Sequence, residues 1–241
     1  MTVYQDEAPL PFSAMTRGAG FDLQRVEVLK GPQGLLFGSN STGGAVNYIA
    51  ARPTDTLEAG MDAGYGRFDA WELGGFVAGP LDENIGVRIA ARHEGSGNWQ
   101  RSATRPADRN GKRNFTQVRG LVDFQAGERF TGRLGVSAFW DKSDVQAAQL
   151  IQVNPLIPPF VDPRVLALPL VTSNSRVGDW TTGTNPKRDD RQWQVTGRFD
   201  VRINEKNSSC AVERPALFNV SGGPEFGSVF GSDALVDLLI M

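Results

Sequence analysis

Arg129–Asp141, RFTGRLGVSAFWD, sorts into two faces when read with a period of two. Phe130, Gly132, Leu134, Val136, Ala138 and Trp140 fall on one face, and Thr131, Arg133, Gly135, Ser137 and Phe139 on the other. The first face is apolar or glycine throughout, and aromatic residues bracket it. Phe130 to Trp140 spans roughly 33 Å at about 3.3 Å per residue. Tilted by about 40°, such a strand rises about 25 Å, the height of the apolar band between the aromatic girdles of a membrane β-barrel. Strands of ordinary globular proteins run about five or six residues, half this length.

The pattern recurs. In Gln192–Asn204, Trp193, Val195, Gly197, Phe199, Val201 and Ile203 alternate with Gln192, Gln194, Thr196, Arg198, Asp200, Arg202 and Asn204. Four further segments follow it less cleanly, around Leu57–Tyr65, Trp71–Ala78, Ile85–Arg92 and Gln117–Phe124. Phe76 and Leu121 interrupt their polar faces. The fold class expected is therefore mainly β, with about six antiparallel strands of an incomplete transmembrane barrel between residues 54 and 204. Short links, PLDEN at Pro80–Asn84 and AGER at Ala126–Arg129, alternate with connections of about 19 and about 50 residues, at Gly95–Arg113 and Lys142–Asp190. Membrane barrels have short periplasmic turns and long outer loops. Entry from the periplasm puts both tight turns on one side and both long connections on the other, together with the short link at Arg67–Ala70. A soluble or cell-surface β-rich binding module is the alternative reading, with the apolar faces turned to a core.

Bulk composition narrows the function classes. The chain has 241 residues and a net charge of −2, which argues against a nucleic-acid partner. One cysteine, Cys210, excludes an internal disulfide and a cysteine-built zinc site. His93 is the single histidine, so a Ser-His-Asp triad is hard to assemble, and no G-x-S-x-G is present. His93 reads as a surface or rim residue. Asp82-Glu83 and Asp189-Asp190 fall in turns, where solvation accounts for them. The expectation is a non-enzyme with no cofactor. No apolar run reaches the roughly 18 residues of a transmembrane helix, and the N-terminus lacks the pattern of a signal peptide.

Arg25–Ala50, RVEVLKGPQGLLFGSNSTGGAVNYIA, is the other distinctive stretch. Gly38–Gly43 has the first spacing of a P-loop, but Gly44 and Ala45 stand where Lys and Ser/Thr are required. Its ends, RVEV and AVNYIA, are β-prone. Gly31-Pro32-Gln33-Gly34 suits a type I turn. The reading is strand, turn, short apolar piece, tight polar loop, strand: a packed irregular structure rather than a tether.

Asp22–Pro53, DLQRVEVLKGPQGLLFGSNSTGGAVNYIAARP, resembles the end of the plug domain of TonB-dependent outer-membrane receptors, and Val3–Phe12, VYQDEAPLPF, resembles an upstream plug strand. The resemblance implies an outer-membrane barrel of 22 strands whose lumen is filled by a folded plug. It also implies a small nutrient ligand (siderophore-iron, cobalamin or carbohydrate), surrounding outer-membrane lipid, and a TonB-type periplasmic energy-transducing partner. The expected organisation is the C-terminal part of a plug over residues 1–53, first barrel strands over 54–204, and a non-matching tail, out of frame or disordered, over 205–241. By resemblance, Arg25, Glu27 and Lys30 sit in a charged plug–barrel contact. Arg88, Arg119, Asp123, Arg133 and Arg198 are the lumen-facing candidates to meet them. Gly31, Pro32, Gly34, Gly38, Gly43 and Gly44 shape the plug turns. With about six strands against 22, the chain is expected to be a fragment that does not transport alone.

Overall fold

The computed structural model describes residues 2–10, 13–31, 43–147, 149, 151, 170, 174–180, 187–201, 216–222 and 235–240. The first 50 residues build a small mixed sheet from β1 (Thr2–Gln5), β2 (Ala8–Pro9), β3 (Leu23–Lys30) and β4 (Gly44–Ala50), with a 3-10 helix at Ser13–Gly18. The strand order is β2-β1-β4-β3; β4 runs parallel to β1 and antiparallel to β3. Asp6 and Glu7 join β1 to β2 with φ of 50° and 69°, the left-handed pair that a two-residue hairpin needs. Leu10, Met15 and Ala19 form a small core against which Val3 and Tyr48 pack.

Gly44 shows why a glycine opens β4. Its φ is +120°, and a Cβ built there would lie 2.5 Å from the Leu29 carbonyl oxygen on β3. No other residue fits without shifting that backbone. Gly31 ends β3 with φ of +85°. Pro32, Gly34 and Gly38 lie outside the described residues.

The rest of the chain is dominated by long strands: β5 (Glu58–Gly66), β6 (Ala70–Asp82), β7 (Ile85–Gly95), then two short strands, β8 (Gln100–Ser102) and β9 (Arg109–Asn110), followed by β10 (Asn114–Ala126), β11 (Phe130–Asp141), the two-residue β12 (Val177–Gly178), β13 (Asp190–Val201), β14 (Ala216–Gly222) and β15 (Leu235–Ile240). The sheet has the order β15-β14-β13-β11-β10-β7-β6-β5 and is not closed. Every pairing in it is antiparallel. The six strands expected between 54 and 204 are β5, β6, β7, β10, β11 and β13. The tail beyond 204, expected to break the pattern, contributes β14 and β15. An antiparallel edge left by β13 presents unpaired N–H and C=O groups, which a β-prone run such as ALFNVSG can take up even without alternation.

Burial is inverted relative to a soluble sheet. Met61, Tyr65, Leu73, Val77, Ile89, Leu134, Val136, Trp140 and Trp193 are exposed, Met61 at 80 %. On the opposite face Arg88, Gln117, Arg119 and Gln194 are buried, Arg119 at 3 % exposure. The small N-terminal sheet sits on that polar face. Leu121 and Phe76, the interruptions of the polar pattern, belong there too: Leu121 is buried, and the Phe76 ring lies 3.9 Å beneath the Arg88 guanidinium. Short strands β12, β8 and β9 form a separate three-stranded sheet from the two long connections.

Candidate functional site: the contact between the small sheet and the polar face

The contact centres on Asp22, in the turn entering β3 with φ of 49°. Arg88 on β7 donates from Nε to Asp22 Oδ2 at 2.8 Å and from Nη2 to Oδ1 at 2.5 Å. Both side chains are 8 % exposed. This is the two-pronged guanidinium–carboxylate fit that holds direction as well as charge. Arg119 on β10 lies alongside and donates from Nη1 to the carbonyl oxygens of Phe21 and Asp22, the latter at 3.1 Å. Its Nε and Nη2 are buried and meet no hydrogen-bond acceptor among the described residues.

Asp6, in the β1–β2 turn, supplies a second negative charge. Its Oδ1 accepts the Ala50 N–H at 2.9 Å. Burial pushes its carboxyl above the usual range, against the pull of the Ala50 hydrogen bond and of Arg119, Arg133 and Arg52. Glu7, next in the turn, accepts from Arg198 on β13 at 3.0 Å. Arg133 on β11 is held on the sheet itself by Asp123 of β10, at 2.6 and 2.9 Å.

A second cluster lies where the long connection leaves and rejoins the sheet. Asp141 and Asp190 are direct cross-strand partners at the ends of β11 and β13. Like charges so placed repel. Arg17 of the 3-10 helix bonds the Asp190 carboxylate and lies 3.6 Å from that of Asp141, whose side chain is wholly buried. Arg188 approaches Asp141 to 3.7 Å. The same helix packs closely: a Cβ on Gly18 would meet the Phe139 ring at 2.8 Å.

The five lumen-facing candidates, Arg88, Arg119, Asp123, Arg133 and Arg198, all lie on the face that carries the small sheet. Three of them, Arg88, Arg119 and Arg198, touch it directly. Arg25 and Glu27 pair with each other at 2.8 Å on β3 instead of with the described long strands, and Asn47 donates to Glu27 at 3.3 Å. Lys30 is exposed at the end of β3. The residues of the small sheet that carry the described contact are Glu7, Arg17, Phe21 and Asp22. They lie in turns and a 3-10 segment, where no periodicity marks them. The available signal was the row of arginines on the neighbouring strands β7, β10, β11 and β13, since buried cations require partners.

The remaining polar candidates are ordinary. His93 Nδ1 is 2.8 Å from Thr116 Oγ1, and its ring lies 4.9 Å from that of Trp71. Asp189 pairs with Arg191. Cys210 lies outside the described residues. Among the described residues no group of three metal-ligating side chains converges, and no helix is long and apolar enough to cross a membrane, which says nothing of a strand-built barrel.

No protein-family model matches the chain. The pesticin receptor of Yersinia pestis is 30 % identical over 115 residues, 47 % of this chain and 17 % of that protein. The ferripyoverdine receptor of Pseudomonas aeruginosa is 42 % identical over 64 residues, 27 % of this chain and 8 % of the receptor. The chain thus spans less than a fifth of the length of these relatives. Among solved structures, the ferric-catecholate import receptor Fiu of E. coli K12 superposes with a TM-score of 0.62 at 18 % identity, over 91 % of this chain and 31 % of that one. The ferric yersiniabactin uptake receptor FyuA of Yersinia pestis gives 0.61 at 15 % identity, over the same shares.

Proposed function

We propose that this chain, which resembles TonB-dependent outer-membrane receptors in sequence and has the fold of their plug and first barrel strands, is part of a receptor that takes up a scarce nutrient across the outer membrane. Residues 1–53 act as plug, and the long strands act as barrel wall. The observation that carries the reading is the inverted sheet: apolar side chains face out, polar ones face in, and a separately folded small sheet rests on the polar side. A soluble module would bury the face that is exposed here.

The chemistry of the contact supports a plug that moves. An apolar interface would lose about 25 cal/mol for every Å² exposed. Here Arg88, Arg198, Asp22 and Glu7 exchange one another for water when the small sheet shifts in a wet lumen. Work is nevertheless needed to break several charge-assisted bonds together. That favours a pull from a TonB-type periplasmic protein, since the outer membrane has no useful ion gradient of its own. Arg25 and Lys30, exposed on β3, and the half-buried Glu27 are assigned to contacts with further barrel strands. The names of the relatives favour a ferric siderophore as ligand, with cobalamin or a carbohydrate as the other nutrient classes.

Heat-modifiable migration in detergent together with membrane fractionation tests the assignment. A chain found in the aqueous fraction, with unchanged mobility on heating, refutes it in favour of the soluble β-rich module. Ligand uptake in cells carrying only this open reading frame would refute the expectation that this part does not transport alone.

A further inference from the structure

A small cavity lies between the N-terminal unit and the polar face of the long sheet. Gln5, Met15, Gly18 and Phe21 bound it on one side, and Gln117, Arg119, Ser137 and Gln194 on the other. Its volume is about 20 Å³, room for one occupant the size of a water molecule. Strand register accounts for the space. Arg119, Ser137 and Gln194 are directly opposed on the neighbouring strands β10, β11 and β13, so their side chains leave the sheet on the same face. Strands about 4.8 Å apart put the Cα atoms of Arg119 and Gln194 roughly 10 Å apart. Two long side chains thus reach toward each other over one short serine.

The groups around the cavity suit an anion. Arg119, Gln117 and Gln194 are 3 %, 6 % and 3 % exposed. Arg119 Nε and Nη2, Gln194 Nε2 and Gln117 Oε1 are buried and have no hydrogen-bond partner among the described residues. Arg119 Nη1 serves two backbone carbonyls, those of Phe21 and Asp22, which carry no full charge. The carboxylates of the N-terminal unit are engaged elsewhere: Asp22 is taken by Arg88, and burial draws Asp6 toward its neutral form. A buried guanidinium with idle N–H groups and no counter-charge is costly. A half-turn of the Gln117 amide exchanges its oxygen for its nitrogen without changing its shape, and every idle group is then a donor. Water in the cavity would answer the hydrogen bonds but not the charge. A cavity of this size admits a monatomic ion and excludes phosphate or a carboxylate ligand.

We propose that Arg119, Gln194 and Gln117 bind one halide ion, chloride, which serves as the counter-ion of Arg119 and helps to seat the small sheet on the wall. The site stands on the described contact and not on the uptake reading.

Two measurements test it. Crystals of the chain grown in bromide and measured at the bromine absorption edge give an anomalous peak among Arg119, Ser137 and Gln194. In detergent solution, amides of Leu23–Lys30 exchange about fivefold more slowly in about 0.3 M sodium chloride than in sodium gluconate of the same ionic strength, because an ion that binds only the seated form stabilises it by mass action. Gln194→Glu ties a carboxylate beside Arg119 in place of the ion, so it loses the bromide peak and exchanges slowly in both salts. Ordinary density without anomalous signal assigns the cavity to water and overturns the proposal. A peak without chloride dependence marks an adventitious ion only and overturns it too. So does a Gln194→Glu chain that responds to chloride as the wild type does, or that exchanges fast in both salts.

Discussion

Replacing Asp22 by asparagine removes the carboxylate on which Arg88 closes and leaves the backbone almost untouched, because asparagine tolerates the φ of 49° found there. Arg88 then keeps one neutral acceptor in place of two charged ones, while 8 % exposed. Arg119 keeps the carbonyls of Phe21 and Asp22 but stands as a second buried cation beside Arg88. The lost attraction is about 4 kcal/mol for a pair about 4 Å apart at an effective dielectric of about 20. Removal of one partner from a buried pair costs about 3–5 kcal/mol, which agrees. Hydrogen exchange read by mass spectrometry on the chain in detergent measures the effect locally. Amides of Leu23–Lys30 and Gly44–Ala50 exchange roughly 10²–10³-fold faster in Asp22→Asn, while those of β10 and β11 change little. Adding Arg88→Met removes the stranded cation, so the double variant recovers at least half of the loss. A single substitution costing less than about 1 kcal/mol, or a double variant weaker than the single one, refutes the claim that a buried ion pair seats the small sheet.

Four other outcomes follow from the same geometry. Gly44→Ala forces a Cβ to within 2.5 Å of the Leu29 carbonyl at a φ of +120° and destabilises the small sheet by about 1–3 kcal/mol, read from its urea midpoint. Val136→Arg puts a charge on the outward face and costs about 2–4 kcal/mol in a bilayer but little in aqueous solution; equal cost in both would remove the lipid-facing assignment. Arg17→Gln leaves Asp141 and Asp190 opposed across β11 and β13, so exchange quickens at the adjoining ends of those strands and hardly at their far ends. Asp179 gives a pH dependence: partial burial pushes its carboxyl up, but hydrogen bonds from Thr104, Ser102 and the Trp180 N–H, with the charge of Arg105, outweigh it and hold the carboxyl below the usual range. A depressed folded-state value contributes stability that is complete above the unfolded value of about 3.9 and fades as pH falls through the folded one. Trp180 fluorescence should therefore report loosening of the two connections only in acid, and Asp179→Asn should abolish that transition.

Much of the barrel wall was legible because strand geometry is local. A period of two fixes which side chains share a face whatever the strand packs against, so Leu134, Val136 and Trp140 could be grouped from RFTGRLGVSAFWD alone. The length of the run then set it apart from a soluble strand. Close backbone approach in the stretch that holds Gly44 was legible for a similar reason, since small residues ahead of a β-prone run permit it. The expectation for the tail rested on alternation as the mark of a strand, whereas β14 and β15 pair onto the edge that β13 offers.

The amino-acid sequence by itself determined the two-faced strands and the row of arginines on one of their faces; each follows from backbone periodicity and residue chemistry over a dozen neighbours. Only the tertiary structure decided which carboxylates answer those arginines. Arg88 and Asp22 lie 66 positions apart, and Arg198 and Glu7 lie 191 apart. Coulombic attraction selects partners by distance in space, and the turns that deliver Glu7, Arg17 and Asp22 to the polar face leave no periodic trace in the chain.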